Sequence, residues 1–169
     1  MTWFSARNIS TSTVPVPAGD IWTVITDPDM LASLTPLVRS IEASGANWRW
    51  TLNGIEGLGL KVEAVFTERM EFLDERQIRF SHVPPVGERE RAGVAGVYDL
   101  APVNPQATEL RVDLTLSVDL PLPRLSRFTV EAIVASTMRV TGQMFATNLY
   151  EHFGLDPAAA SITEIAPPR

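Results

Sequence analysis

The sequence contains no cysteine. Disulfides, thiolate zinc sites, iron–sulfur clusters and cysteine nucleophiles are therefore excluded. Histidine is almost as scarce, with only His82 and His152 present. Neither has a His or acidic partner at metal-ligand spacing, so no metal and no cofactor are expected. Positive charge is in deficit, with Lys+Arg 14 against Asp+Glu 20 and a net charge of −6. A nucleic-acid surface would be basic, so no nucleic-acid partner is expected. No apolar run approaches the ~18 residues that a membrane-spanning helix needs, so no span is expected. The start, Met1 to Arg7, lacks the basic region and apolar stretch of a signal peptide, which predicts a cytoplasmic protein. A Gly-x-Ser-x-Gly elbow is missing, and no two carboxylates stand out as an acid/base pair. Catalytic residues stay unknown on this reading.

What is present is a chain of 169 residues, 45% apolar and 20% charged. That suits one globular domain with a sizeable core, and it excludes a disordered chain. The β-branched run near residues 7–14 predicts a strand, stopped by Pro15 and Pro17. Pro17-Ala18-Gly19-Asp20 opens a first short helix, Ile21 to Ile25. Asp27-Pro28 caps and starts a second, with Met30, Leu31 and Leu34 on its apolar side. Six strands are expected next: 37–43, 48–53, 60–66, 77–81, 93–100 and 109–120. In the last, Leu110, Val112, Leu114, Leu116, Val118 and Leu120 face one way. Arg111, Asp113, Thr115, Ser117 and Asp119 face the other. Such alternation implies an antiparallel sheet with one packed and one wet face. From 124 to 153 only Gly142 interrupts a helical pattern, and Gly154 is a natural stop. Residues 156–169 hold three prolines and four alanines and predict a loose tail beyond a single domain at 1–155.

The order of strand, two short helices, six strands and one long C-terminal helix is α+β. The long helix must bury its apolar side on the packed face of the sheet. Val14-Pro15-Val16-Pro17-Ala18-Gly19-Asp20-Ile21-Trp22 leads to Asp27, then to Leu31, Leu34, Pro36, Val38 and Ile41-Glu42. This layout and entry pattern resemble the helix-grip fold of the SRPBCC (START, Bet v 1 and polyketide cyclase-dehydrase-like) superfamily, over about 7–153. The resemblance implies a curved antiparallel sheet wrapped around a long C-terminal helix. It also implies a cavity between them for lipids, sterols, hormones or polyketides. Members include cyclases as well as carriers, so fold does not settle function.

Candidate site residues follow from the strand faces. Trp48 and Trp50 share a face, Phe66 ends the next strand, and Phe80 and Tyr98 lie on later ones. With Leu114, Leu116 and the helical Val134, Met138 and Phe145, they form the expected cavity wall, with Tyr98 as a polar handle. Ordinary core packing explains the same pattern. His82, at a strand end before Pro84-Pro85, is a candidate polar group at the cavity mouth or a surface residue. His152 suits the last helical turn. Asn53 to Gly59 is glycine-rich, but strand on both sides makes it a hairpin loop rather than a phosphate loop. Glu88-Arg89-Glu90-Arg91 reads as a solvated loop.

The long helix carries two apolar stripes. Val134, Met138, Phe145 and Leu149 form one; Val130, Ile133, Val140 and Met144 form the other. Either the short helices cover the second stripe, or it meets a partner such as a second copy of the chain (a homodimer) or a membrane surface. Three functions fit. The first is binding or transport of a small hydrophobic molecule in the cavity. The second is a polyketide cyclase or dehydratase, implied by the resemblance. The third is a non-catalytic interaction protein with a filled core.

Overall fold

The computed structural model describes residues 2–53, 55–57, 60–62 and 64–166, with side chains outside 54–63. Strand β1 (Thr2–Val14) is followed by helices α1 (Ala18–Ile25) and α2 (Pro28–Leu34). Strands β2 (Val38–Ser44), β3 (Asn47–Leu52), β4 (Ile55–Gly57), β5 (Leu60–Val62), β6 (Val65–Leu73), β7 (Gln77–His82), β8 (Ala92–Asn104) and β9 (Ala107–Leu120) come next. A 3₁₀ turn leads into α3 (Arg127–His152), and β10 (Thr163–Ile165) comes last. Eight strands form one antiparallel sheet in the order β10-β1-β9-β8-β7-β6-β3-β2, and β4 pairs with β5 apart from it.

Local chemistry explains the boundaries. The Asp27 carboxylate accepts the Met30 N–H at 2.9 Å, and Pro28 opens α2 where no N–H is needed. Asp74 and Glu75 both have positive φ in the three-residue β6–β7 turn, where the Arg76 N–H reaches the Leu73 carbonyl at 3.0 Å, which suits the twist of a hairpin. Gly154, at φ +68°, ends α3. Its N–H reaches the Glu151 carbonyl at 3.0 Å, and the Leu155 N–H reaches Tyr150 at 2.9 Å. That pair of bonds is a Schellman stop.

The inner face of the sheet carries Phe4 and Val14 on β1, Trp48 and Trp50 on β3, and Phe66 and Met70 on β6. Ile78, Phe80, Leu100 and Leu110 continue it. Helix α3 lies across this face. Leu149 is 1% exposed there. The Tyr150 hydroxyl donates to the Thr13 carbonyl at 2.9 Å, and Asn148 Nδ2 donates to the Leu34 carbonyl of α2 at 2.9 Å. These bonds tie the C-terminal half of α3 to β1 and α2.

Two expectations need correcting. The strand expected at 60–66 is divided: β5 ends at Val62, and β6 runs to Leu73. Of the glycine-rich loop, Gly54, Leu58 and Gly59 lie outside the described residues. Of the expected loose tail, residues 156–166 are packed against the domain. Asp156 caps a 3₁₀ turn by accepting the Ala158 N–H, Ala160 is buried, and β10 pairs with β1 at Ile9 to Thr11. Gln143 donates to the Ala160 carbonyl, Ser12 to the Ser161 carbonyl, and Arg139 pairs with Glu164 at 2.9 Å. Sparse bulk hid this, because one small residue, Ala160, and one large one, Ile162, carry the packing against the core.

Candidate functional site: a cavity between sheet and helix

A cavity of about 180 Å³ separates the middle of α3 from the inner face of the sheet. Roughly 10–15 Å³ admits one water, so this space has room for a small organic molecule. The sheet supplies aromatic walls. Trp50 and Phe66 stack at 6.0 Å with their planes 10° apart, and Phe80 meets Tyr98 at 5.0 Å. Gly96, paired with Phe80 across the ladder, has no room for a Cβ against the Phe80 ring and β9. Its missing side chain seats that ring. Leu114 and Leu116 of β9 and Met138 and Phe145 of α3 complete the apolar surface.

Of the residues expected from sequence, Trp50, Phe66, Phe80, Tyr98, Leu114, Leu116, Met138 and Phe145 lie together in this lining. Trp48 does not. Its ring packs at 5.8 Å against Phe72, which meets Trp22 of α1 at 6.1 Å. Val134 packs against the core but is not part of the lining. His82 also lies outside it. Its Nε2 is 2.8 Å from a Glu90 carboxylate oxygen. That carboxylate also accepts the Thr67 N–H at 2.8 Å and the Thr67 hydroxyl at 2.7 Å. Glu90, expected in a solvated loop, is buried and completes the edge of β6 where β7 has ended.

The mouth lies between the α2–β2 connection and α3. Pro36, Leu37, Thr137 and Thr141 border both the cavity and an outer depression that continues to Val140 and Met144. This corrects the reading of the second helical stripe. Val130 is buried, but Ile133, Val140 and Met144 are 38%, 56% and 49% exposed, so the short helices do not cover them. Leu37 holds φ at +69°, a conformation that costs a branched side chain roughly 1–3 kcal/mol and persists only where its surroundings demand it. Its carbonyl accepts the Asn53 N–H at 2.7 Å, which anchors that rim to the end of β3.

One lining residue was missed. Glu68 is 3% exposed and borders the cavity. Burial, the larger influence, pushes its carboxyl up to about 8, while the neighbouring Trp50 indole holds it down. The indole N–H itself is buried without a hydrogen bond of good geometry. Burial also raises the Tyr98 hydroxyl above its ordinary value, and the nearby Glu68 charge adds to that. Extending the parity of Phe66 through Glu68 to Met70 would have placed Glu68 inward, but the strand was expected to stop at Phe66. Among the described residues, no cluster of three or more His, Asp or Glu could hold a metal ion, and no helix is long and apolar enough to cross a membrane.

No protein-family profile matches the chain, and no curated protein matches it significantly. Solved structures do. A conserved protein from Geobacillus kaustophilus superposes with a TM-score of 0.68 at 13% identity, covering 92% of this chain and 98% of its own. A START superfamily protein from Mycobacterium smegmatis gives 0.60 at 18% identity, covering 86% and 96%. The Zhui aromatase/cyclase from Streptomyces sp. R1128 gives 0.59 at 16% identity, covering 88% and 95%. At these identities the likeness is one of fold. With its curved antiparallel sheet, early helix pair and long C-terminal helix, the chain has the helix-grip fold of START and aromatase/cyclase proteins, an SRPBCC-type architecture.

Proposed function

We propose that the protein binds or carries a small hydrophobic molecule in the cavity between sheet and α3. The observation that carries this reading is the cavity itself: about 180 Å³, walled mainly by aromatic and aliphatic side chains, with a mouth at Leu37 and Thr137. Pockets of this character, with a few placed polar groups, are the usual sites for small ligands. A filled-core interaction protein would have no use for such a space. A cyclase-type enzyme is the second reading. It draws on the likeness to the Zhui aromatase/cyclase and on the two ionisable groups in the lining, Glu68 and Tyr98.

Titration with the neutral fluorophore N-phenyl-1-naphthylamine tests the binding reading. Wild type should bind it at micromolar affinity while fully folded. Met138→Trp should weaken binding at least tenfold by occupying the space, with little cost in stability. In a solid core the same change overpacks and costs ~1–3 kcal/mol. No binding, together with a destabilised Met138→Trp variant, would overturn the reading.

A further inference from the structure

The cavity is polarised in one way. Among its described lining residues there is no Lys, Arg or His, and the two ionisable groups are both acids, Glu68 and Tyr98. Glu68 makes no salt bridge to any described residue. A buried carboxylate without a cation is strongly disfavoured, so the group sits in this apolar space as a neutral acid. A carboxylic acid kept neutral carries an O–H that donates a hydrogen bond. In the same lining, the Tyr98 hydroxyl makes no hydrogen bond to any described residue, and the Trp50 indole N–H, a neighbour of the Glu68 carboxyl, makes none of good geometry. Three groups with donor capacity, Glu68 and Trp50 buried and Tyr98 partly buried, therefore line one cavity. Thr35 at the end of α2, Thr137 and Thr141 of α3, and Asn8 and Ser10 of β1 are its other polar lining groups, and none of them titrates in the ordinary range. His82 is cross-strand from Glu68, but its ring is engaged by Glu90.

We propose that Glu68, with Tyr98 in the same lining, is the polar anchor of this cavity and selects an uncharged apolar ligand through an acceptor oxygen, while rejecting anions. This rests on the binding reading above. A carbonyl or ether oxygen at Glu68 receives a proton donor at no charge cost. A carboxylate ligand meets an acid and no cation, and must shed its hydration unpaid.

Four naphthalenes of similar size test it by displacement of N-phenyl-1-naphthylamine: 2-acetylnaphthalene, 2-isopropylnaphthalene, 2-naphthoate and 1-(2-naphthyl)ethylamine. At pH 6.5 the naphthoate should bind at least about 100-fold more weakly than the ketone. Glu68→Leu should reduce the ratio of ketone to hydrocarbon affinity about tenfold, the equivalent of one hydrogen bond. Glu68→Gln keeps an N–H donor and should hold that ratio within a few-fold. Raising the pH to 9.5 ionises Glu68, so the wild type should lose about tenfold in ketone affinity, and Glu68→Gln should not. A drop shared by both would belong to another group and would count against the anchor. Naphthoate binding as tightly as the ketone would overturn the proposal. So would the amine binding most tightly, which would make Glu68 the counter-ion of a cationic ligand. Equal ketone-to-hydrocarbon ratios in wild type and Glu68→Leu would also overturn it, while leaving the cavity reading intact. Failure of all four, and of the fluorophore, would instead overturn the cavity reading itself.

Discussion

The same helix lies on the same sheet in two different ways. Around Ala146, Leu149 and Tyr150, α3 is pressed against Val14 and Leu110, and the gap left is about 30 Å³. Two to three turns earlier, around Met138 and Thr141, the gap opens to about 180 Å³. The composition of the two stretches does not separate them. The difference comes from what fastens α3 down. The C-terminal half is tied through Tyr150 to β1, through Asn148 to α2 and through Gln143 to the tail. Among the described residues, the middle is tied only by the exposed Arg139–Glu164 ion pair on its outer side, and has Leu37 and Val38 of a strained rim opposite it. One half works as a core, and the other holds open a space that a closer approach of the helix would remove.

Paired truncations sharpen this contrast most. Leu149→Ala removes a side chain that is 1% exposed and leaves a void among fixed neighbours, so it should cost ~2–5 kcal/mol. Met138→Ala enlarges a space that already exists and removes a half-buried side chain, so about 1 kcal/mol is expected. Denaturant midpoints measure both. Similar losses would mean that the middle of α3 is packed as tightly as its end.

Deleting 156–169 attacks the fastening of the closed half. It removes the β10 ladder, Ile162 and the bond to Gln143. Net of the entropy regained by the freed chain, a loss of about 2 kcal/mol is expected. For a chain of this size that lowers the melting temperature by roughly 4–8 °C. An unchanged melting temperature would return the tail to the loose state expected from its composition.

The fold was legible because its signals are local and repeated. Alternation in β9, the Asp27-Pro28 cap and the Gly154 stop each state an element and its boundary. The cavity wall followed from strand parity, which brought Trp50, Phe66, Phe80 and Leu114 to one face. What stayed hidden depends on three-dimensional partners. The destination of Ile162, the ring of Trp48 turning to Phe72, and the capture of His82 by Glu90 are all contacts between distant segments. Glu68 fell between these cases. Its parity was readable, but a charged residue in a run ending Thr67-Glu68-Arg69 looked like the end of a strand.

A pH-dependent effect tests Glu68 in the protein without ligand. Its folded value, about 8, lies above the ordinary carboxyl value of 4.5. Below that ordinary value both folded and unfolded chains hold the proton, and the group contributes nothing to the pH dependence. Between the two values the unfolded chain releases the proton first, so stability falls as pH rises, with a slope approaching ~1.4 kcal/mol per pH unit. Above about 8 the curve flattens. Glu68→Gln lacks the group, so its stability advantage over wild type should grow from pH 5 to pH 8 and then hold. Parallel curves would place the Glu68 carboxyl in contact with water.

The smallest effect is expected on the outer side of the open half. Val130 is 2% exposed and Ile133 is 38% exposed, although three residues separate them on one stripe. The hydrogen bond that joins α2 to α3 lies at Leu34 and Asn148, well beyond Ile133, which is left exposed. Ile133→Glu should therefore leave the helical circular dichroism intact and change stability by no more than ~0.5 kcal/mol. Val130→Glu, one turn earlier, buries an unpaired carboxylate and should unfold the domain. Sedimentation of Ile133→Glu then separates two uses of the exposed residues. Val140 and Met144 flank the mouth, so a ligand entering there needs them uncovered, and the mass should match wild type. A mass halved by the substitution would show two copies joined through this stripe. In that case the mouth would open at an interface between subunits, and the closed and open halves would differ only within each copy.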